Sequence, residues 1–269
     1  ELTLGGVRFR GAGRKLVSAM TEEHLVQSGK HPGKINLTDV DNGLNILQYL
    51  TAKPAAVILK HNNPCGAAWS DAGLCAAFEA AFASDRIAAF GGAIVVNRTL
   101  DAATAEKINA VYFEVVAAPD YEPKALEILK SKKNLRIFRL PGLAALDKLV
   151  GQPFLDFKSL ADGGLVLQFS FRNRILSAAD FLPATATDKA GTTFTARAPS
   201  DKEAEDLLFA WAVEAGVTSN SVIFVKNGAT VGIGTGEQDR VGVVELTIHK
   251  AKTKYADGLA FAACNLSLY

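Results

Sequence analysis

A lysine and a histidine stand side by side at positions 60 and 61, where the apolar run AAVIL at 55–59 ends. An ammonium can stabilise negative charge that builds up during a reaction, and an imidazole can accept a proton near neutral pH. Lys60 and His61 therefore offer electrostatic and acid–base chemistry within one step of the chain. Asn62, Asn63, Pro64, Cys65 and Gly66 then break the apolar pattern as a turn. A short continuous apolar run bounded in this way reads as a strand over 55–60, buried on both faces. Buried parallel strands of α/β proteins have this composition, and ligands bind beyond their carboxyl ends. Successive strand residues point to opposite faces, so Lys60 and His61 share a site only if the backbone turns at once, which Asn62-Asn63-Pro64 favours. The alternative is that both are polar punctuation where a strand leaves the core.

Other residue sets give weaker signals. Gly232, Gly234 and Gly236 invite a dinucleotide reading, but they follow a hairpin pattern, lack G-x-G-x-x-G spacing and lead to charged residues instead of an apolar helix. Neither a phosphate-cradling G-x-x-x-x-G-K-[ST] nor a G-x-S-x-G nucleophile turn is present. His24, His31, His61 and His249 have no metal-ligand spacing, and Cys65 and Cys75 form no C-x-x-C. Asn63-Pro64-Cys65-Gly66 resembles half of a zinc-deaminase signature, but the second cysteine and H-x-E are missing, so no zinc is expected. Asn220 reads as a turn former, Arg240 as a surface arginine and Glu114 as a strand-end charge; physical chemistry alone singles out none of them.

The elements that must position such residues follow from pattern. The 269 residues are 49% hydrophobic, enough for one large domain or two moderate ones. With 29 Lys and Arg against 28 Asp and Glu, the charge balance gives no support for nucleic-acid or acidic-membrane binding. Three widely separated cysteines make no disulfide framework, which fits a reduced, cytoplasmic setting. No apolar stretch approaches a membrane span or a signal peptide. The chain opens on Glu1 and ends at Tyr269 without a visible stop, so a piece of a longer polypeptide is expected.

Residues 1–34 read as short strands and turns, and 33–37 as a loop or short strand. Thr38 is the expected N-cap of a helix over about 39–52, with Asp39 and Asp41 in its first turn. A helix over about 71–83 leads to IAAFGGAIVV, where Gly91-Gly92 inside a strand pattern marks a bulge or a close approach. Helices over 101–111 and 122–132 alternate with strands at 114–119 and 134–140, the layered doubly wound pattern. From Pro141 to about Pro199 the rhythm gives way to small β elements. Ser200 and Glu203 form a capping box before an amphipathic helix, and Asn227-Gly228 between two apolar runs marks a hairpin.

Taken together, GKINLTD, KHNNPCGAA, IAAFGGAIVVNR, EVVAAP, LLFAW, TSNSVIFVKNG and VGIGTGEQDRV, in order over about 30–245, resemble the transformylase domain of 5-aminoimidazole-4-carboxamide ribonucleotide formyltransferases. The resemblance implies formyl transfer from 10-formyltetrahydrofolate, as cosubstrate, to the 5-amino group of that ribonucleotide in purine biosynthesis, with no covalently bound cofactor. It implies an α/β fold of cytidine-deaminase-like three-layer subdomains: a first over 1–145, a linking region over 146–199, and the start of a second, incomplete one over 200–269. A homodimer with shared sites is implied as well. By the same resemblance His61 matches the proton acceptor and Lys60 the residue that stabilises developing charge. Asn220 and Arg240 match residues holding the carboxamide, Gly91 and Glu114 ribose contacts, Ile35 and Asn36 a segment lining the base, and Val241 a folate contact.

Family members also carry R-Y-G-x-N-P-H-Q before this region, and F-F-P-F-R-D with a further arginine after it; none of these is in the 269 residues. The cyclohydrolase domain usually fused to the transformylase is not matched either, so cyclisation is not expected of these residues. With only part of the pocket, the chain alone is expected to turn over little or nothing. The competing reading is a non-catalytic purine-nucleotide-binding protein on the same scaffold. A third is another formyl-transferring or amide-ligating enzyme.

Overall fold

The computed structural model describes residues 24–152 and 154–264, and before them two short antiparallel strands, β1 (Leu2–Leu4) and β2 (Val7–Phe9). The rest of the stretch expected to hold short strands and turns, up to residue 23, lies outside the described residues. β3 (Leu25–Gln27) leads to α1 (Lys34–Leu47), β4 (Ala55–Lys60), β5 (Asn63–Trp69) and α2 (Leu74–Ser84). The short α3 (Arg86–Ala89) precedes β6 (Ala93–Val96), α4 (Ala102–Asn109), β7 (Val115–Ala118), α5 (Pro123–Lys130) and β8 (Arg136–Arg139). After a 3-10 helix at Pro141–Leu149 come two small hairpins, β9 (Leu155–Ser159) with β10 (Leu165–Phe169) and β11 (Thr185–Thr187) with β12 (Thr193–Thr195). Then follow α6 (Asp201–Glu214), β13 (Val222–Lys226), β14 (Ala229–Gly234), α7 (Arg240–Lys250), a π-helical turn at Ala251–Tyr255, and α8 (Ala256–Cys264).

Eight strands form one sheet in the order β13-β14-β5-β4-β6-β7-β8-β3. Helices cover both faces, giving a mixed α/β architecture. Ala55, Val57 and Leu59 pack into a core with α1 and α6, while Ala56 and Ile58 pack into a core with α2, α4 and α5. The expected burial on both faces is thus borne out for 55–59, with Lys60 half-buried at the end. The expected parallel pairing is not: β4 runs antiparallel to β5 and to β6, and only β6, β7 and β8 are mutually parallel. The two residues between β4 and β5 are too few for a crossover, which fixes an antiparallel hairpin. The β13–β14 hairpin, from the stretch expected to open a second unit, joins this same sheet beside β5.

Three local expectations are corrected. The first helix begins at Lys34, not at a Thr38 cap, because Gly33 sits extended at its N-cap and the Asn36 Oδ1 accepts the Gly33 N–H at 3.1 Å. Thr38 lies inside the helix and returns its hydroxyl to the Ile35 carbonyl. Residues 63–66, expected as a turn, open β5; Cys65 is the extra residue of a bulge opposite Ile58 and Leu59, which accommodates Pro64 near the strand start. Gly91-Gly92 lies ahead of β6 rather than within a strand, while the close approach expected there is borne out by the Leu59 carbonyl. Gly91 has φ +74°, and a Cβ on Gly92 would sit 2.6 Å from the Leu59 carbonyl oxygen.

Candidate functional site

His61 and Asn62 form the whole loop between β4 and β5: Lys60 pairs with Asn63, and the two residues between have φ +54° and +61°. Two positive φ values in a two-residue loop are the signature of a type I′ turn, usually filled by Asn-Gly because a Cβ is costly in that region. The backbone therefore reverses at His61 itself, one residue earlier than Asn62-Asn63-Pro64 led one to expect.

Helix α1 grips this turn. Asp39 Oδ1 accepts the Asn62 N–H at 2.5 Å, and Asn42 Nδ2 donates to the Asn62 carbonyl at 2.9 Å and to that of Gly216 at 2.8 Å. Asp39 and Asn42 are three residues apart, hence neighbours on one helical face. Asp39 is only 4% exposed. Burial pushes its carboxyl above the ordinary aspartate range, the Asn62 N–H and the charge of His61 oppose that, and Glu114 adds to the rise.

Lys60, Gly91, Glu114 and Asn36 sit around the same end of the sheet, where β4 finishes and β6, β7 and β8 begin. This end carries the carboxyl end of β4, where Lys60 and His61 were expected, together with the amino ends of the parallel strands β6, β7 and β8. Lys60 Nζ donates to the Phe90 carbonyl at 2.7 Å. Next to it the Gly91 N–H donates to the Tyr112 carbonyl, and the Glu114 N–H donates to the Gly92 carbonyl. The Glu114 carboxylate accepts from Asn36 Nδ2 at 3.1 Å and pairs with the buried Arg136 at 3.4 Å. Ile35, at 60% exposure, stands beside Asn36 on the open side of α1.

The β13–β14 side is tied in through Asn63, whose Oδ1 accepts from the Thr218 N–H at 3.0 Å and the Thr235 hydroxyl at 2.9 Å. Thr218, whose carbonyl accepts the Thr235 hydroxyl, opens the loop that holds Asn220, which is preceded by a cis peptide bond and donates from Nδ2 to the Glu237 and Gln238 carbonyls. Arg240 and Val241 are the exposed first residues of α7, capped by Asp239. They share the sheet end with His61.

Gly232 and Gly234 have a packing role. A Cβ there would meet the Thr247 and Val243 carbonyl oxygens at 2.8 and 2.7 Å, so glycine lets α7 lie directly on β14. A helix does follow these glycines, contrary to the expectation of a merely charged stretch. Cys65 is buried and its thiol pushed up to about 12 by that burial. Among the described residues no group of three or more His, Cys, Asp or Glu is arranged for a metal ion, and no helix is long and apolar enough to cross a membrane. A cavity of about 280 Å³ between the ends of α4 and α5, lined by Tyr112, Phe113 and Ser131 among others, includes none of the sequence-predicted residues.

Sequence reasoning missed Asn42 and Asn63 and took Asp39 for an ordinary first-turn charge. A signal was present: Asn36, Asp39 and Asn42 recur every third residue, one polar stripe beside the apolar Val40, Leu44 and Leu47. It becomes readable only once the helix is known to start at Lys34.

The profile described as AICARFT/IMPCHase bienzyme matches residues 10–250. Curated relatives are called bifunctional purine biosynthesis protein PurH. That of Magnetococcus marinus is 38% identical over 232 residues, covering 86% of this chain and 41% of its own length. That of Cereibacter sphaeroides (strain ATCC 17029) is 42% identical over 226 residues, covering 83% and 40%, and that of Sorangium cellulosum 38% over 246 residues, covering 91% and 44%. The chain thus spans about two fifths of the length of these relatives.

Proposed function

This chain belongs to the AICARFT/IMPCHase bienzyme family, and we propose that its residues serve the formyltransferase half of that bienzyme, in purine biosynthesis. The reaction would move a formyl group from 10-formyltetrahydrofolate to the 5-amino group of 5-aminoimidazole-4-carboxamide ribonucleotide. The observation that supports this is the gathering of Lys60, His61, Asn36, Gly91 and Glu114 at one end of one sheet, with the Asn220 loop hydrogen-bonded to the same turn through Asn63.

An amine conjugated to an imidazole carboxamide is a weak nucleophile, so a base must take its proton as it attacks. In this reading the amine lone pair forms the new N–C bond to the formyl carbon, and His61 takes the N–H proton. The formyl oxygen gains negative charge, which the Lys60 ammonium stabilises. Collapse breaks the bond from the formyl carbon to N10, and the departing nitrogen keeps the electron pair and takes a proton. Glu114 would accept a ribose hydroxyl beside Gly91. Asn220 and Arg240 would hold the carboxamide, Ile35 and Asn36 would line the base, and Val241 would border the folate. A cytidine-deaminase-like scaffold with units at 1–145 and 200–269 joined by 146–199, and a homodimer with shared sites, belong to the same proposal.

The test is a chimaera in which residues 24–250 of this chain replace the matched stretch of the Magnetococcus marinus relative. Consumption of 10-formyltetrahydrofolate that requires the ribonucleotide is expected, with His61→Ala slower by about 100-fold or more. A folded chimaera with His61→Ala at the parent rate removes His61 as the base. One that binds the ribonucleotide but never consumes the folate favours the non-catalytic nucleotide-binding reading.

A further inference from the structure

We infer that Asp39 is a positioning residue for His61: with Asn42 it clamps both backbone polar groups of Asn62, locks the unfavourable turn that aims the imidazole, and offers a negative charge to the imidazolium. The inference rests on the proposed role of His61 as proton acceptor.

The turn needs an outside hold. A non-glycine residue at positive φ costs roughly 1 kcal/mol or more, and this loop has two of them, the first carrying a large aromatic side chain. A turn paying that cost would relax unless its surroundings fixed it. The Asn62 N–H goes to the Asp39 carboxylate and the Asn62 carbonyl to the Asn42 amide, so both polar groups of one residue are held by adjacent turns of one helix. That helix is itself anchored by Val40, Leu44 and Leu47 in the core, so the grip is rigid.

A hydrogen bond to the Asn62 N–H needs only a neutral acceptor, whereas Asp39 is a carboxyl at 4% exposure. Taking a carboxylate out of water is costly, and a neutral asparagine would make the same bond more cheaply. The charge has a use when His61 holds a proton, because an anion that holds the next residue of the same turn attracts an imidazolium. The charges that act on Asp39 are those of His61 in the turn and Glu114 at the head of β7. Glu114 is already engaged by Asn36 and Arg136, which leaves His61 as the group the Asp39 charge can serve.

The two roles separate in experiment. In the 269-residue chain, the Asn62 amide proton resonance should move with the Asp39 titration, and Asp39→Asn should abolish that movement while keeping the amide in its hydrogen-bonded position. In the chimaera, Asp39→Asn keeps the acceptor but removes the charge, and should lower kcat about 10-fold with less than a twofold change in KM for the ribonucleotide. Asp39→Ala, which removes both, should lower kcat further. An Asn62 amide that does not follow the Asp39 titration, or that stays in place in Asp39→Ala, overturns the clamp, and Asp39→Asn at the parent kcat overturns the charge role. The wild-type resonance alone suffices for the clamp if a variant fails to fold. Failure of the base assignment is read separately, from His61→Ala retaining turnover while the Asn62 resonance still follows Asp39.

Discussion

Two hairpins of the same sheet solve one backbone problem in different ways. Between β13 and β14 the loop is Asn227-Gly228, with φ +55° and +71°; between β4 and β5 it is His61-Asn62, with +54° and +61°. Each donates hydrogen bonds to a helical aspartate: Asp206 accepts the N–H groups of Asn227 and Gly228, and Asp39 accepts that of Asn62. At 227–228 the residues themselves suit the turn that Asp206 holds, since Asn and Gly visit this region readily. At 61–62 a histidine occupies the first position, and helix α1 supplies the hold that its sequence lacks. The contrast separates a turn whose residues favour its geometry from one that carries the proposed base at a conformational cost.

Replacing that histidine gives the largest expected effect. His61→Gly in the chimaera should lose turnover by about 100-fold or more yet raise thermal stability, by about 0.5–1 kcal/mol in an equilibrium unfolding measurement, because glycine removes the strain. A variant less stable than its parent would erase the difference between the hairpins. The reverse experiment is Gly228→Ala. A Cβ there enters the positive-φ region and crowds the Trp69 ring, so a loss of about 2 kcal/mol is expected in denaturant unfolding. The Asn62 amide resonance should not change.

Asp39→Asn sharpens the comparison through pH. Burial raises the folded-state pKa of Asp39 above its unfolded value, so the folded state keeps this proton to higher pH than the unfolded chain does. Its contribution to stability therefore falls as pH rises from the ordinary aspartate range through the raised value. Unfolding free energies measured across that interval should decline less steeply in Asp39→Asn.

The smallest effects lie on α6, which carries the Asp206 of the second hairpin. Ser200→Ala removes a cap in which the hydroxyl accepts the Glu203 N–H and should cost about 1 kcal/mol. Arg197 and the capping hydrogen bonds of Ser200 hold Glu203 down to about 2. The support it gives this helix start is present above the ordinary glutamate range and is lost as pH falls toward 2, which a Glu203→Gln comparison by circular dichroism reads.

Much of this was legible in the sequence where one local rule acted alone. AAVILK formed the strand expected from an unbroken apolar run, Ser200 and Glu203 formed the expected capping box, and Asn227-Gly228 made the expected turn. Legibility failed where a tertiary partner overrode a local preference. Pro64 and Gly66 read as breakers, yet they lie in β5 because Gly66 packs against the Ala81 carbonyl and the Cys65 bulge absorbs the proline. Asp39 read as a first-turn acid because nothing local ties it to residue 62.

The sequence by itself therefore determined which segments bury apolar faces and which residues bear chemistry, since side-chain periodicity and residue type act over a few positions. Only the tertiary structure decided that β4 is antiparallel to both its neighbours, that His61 sits within the turn, and that Asp39 and Asn42 hold that turn. Hydrogen bonds between residues some twenty positions apart depend on how helix and hairpin pack. No local pattern encodes that packing.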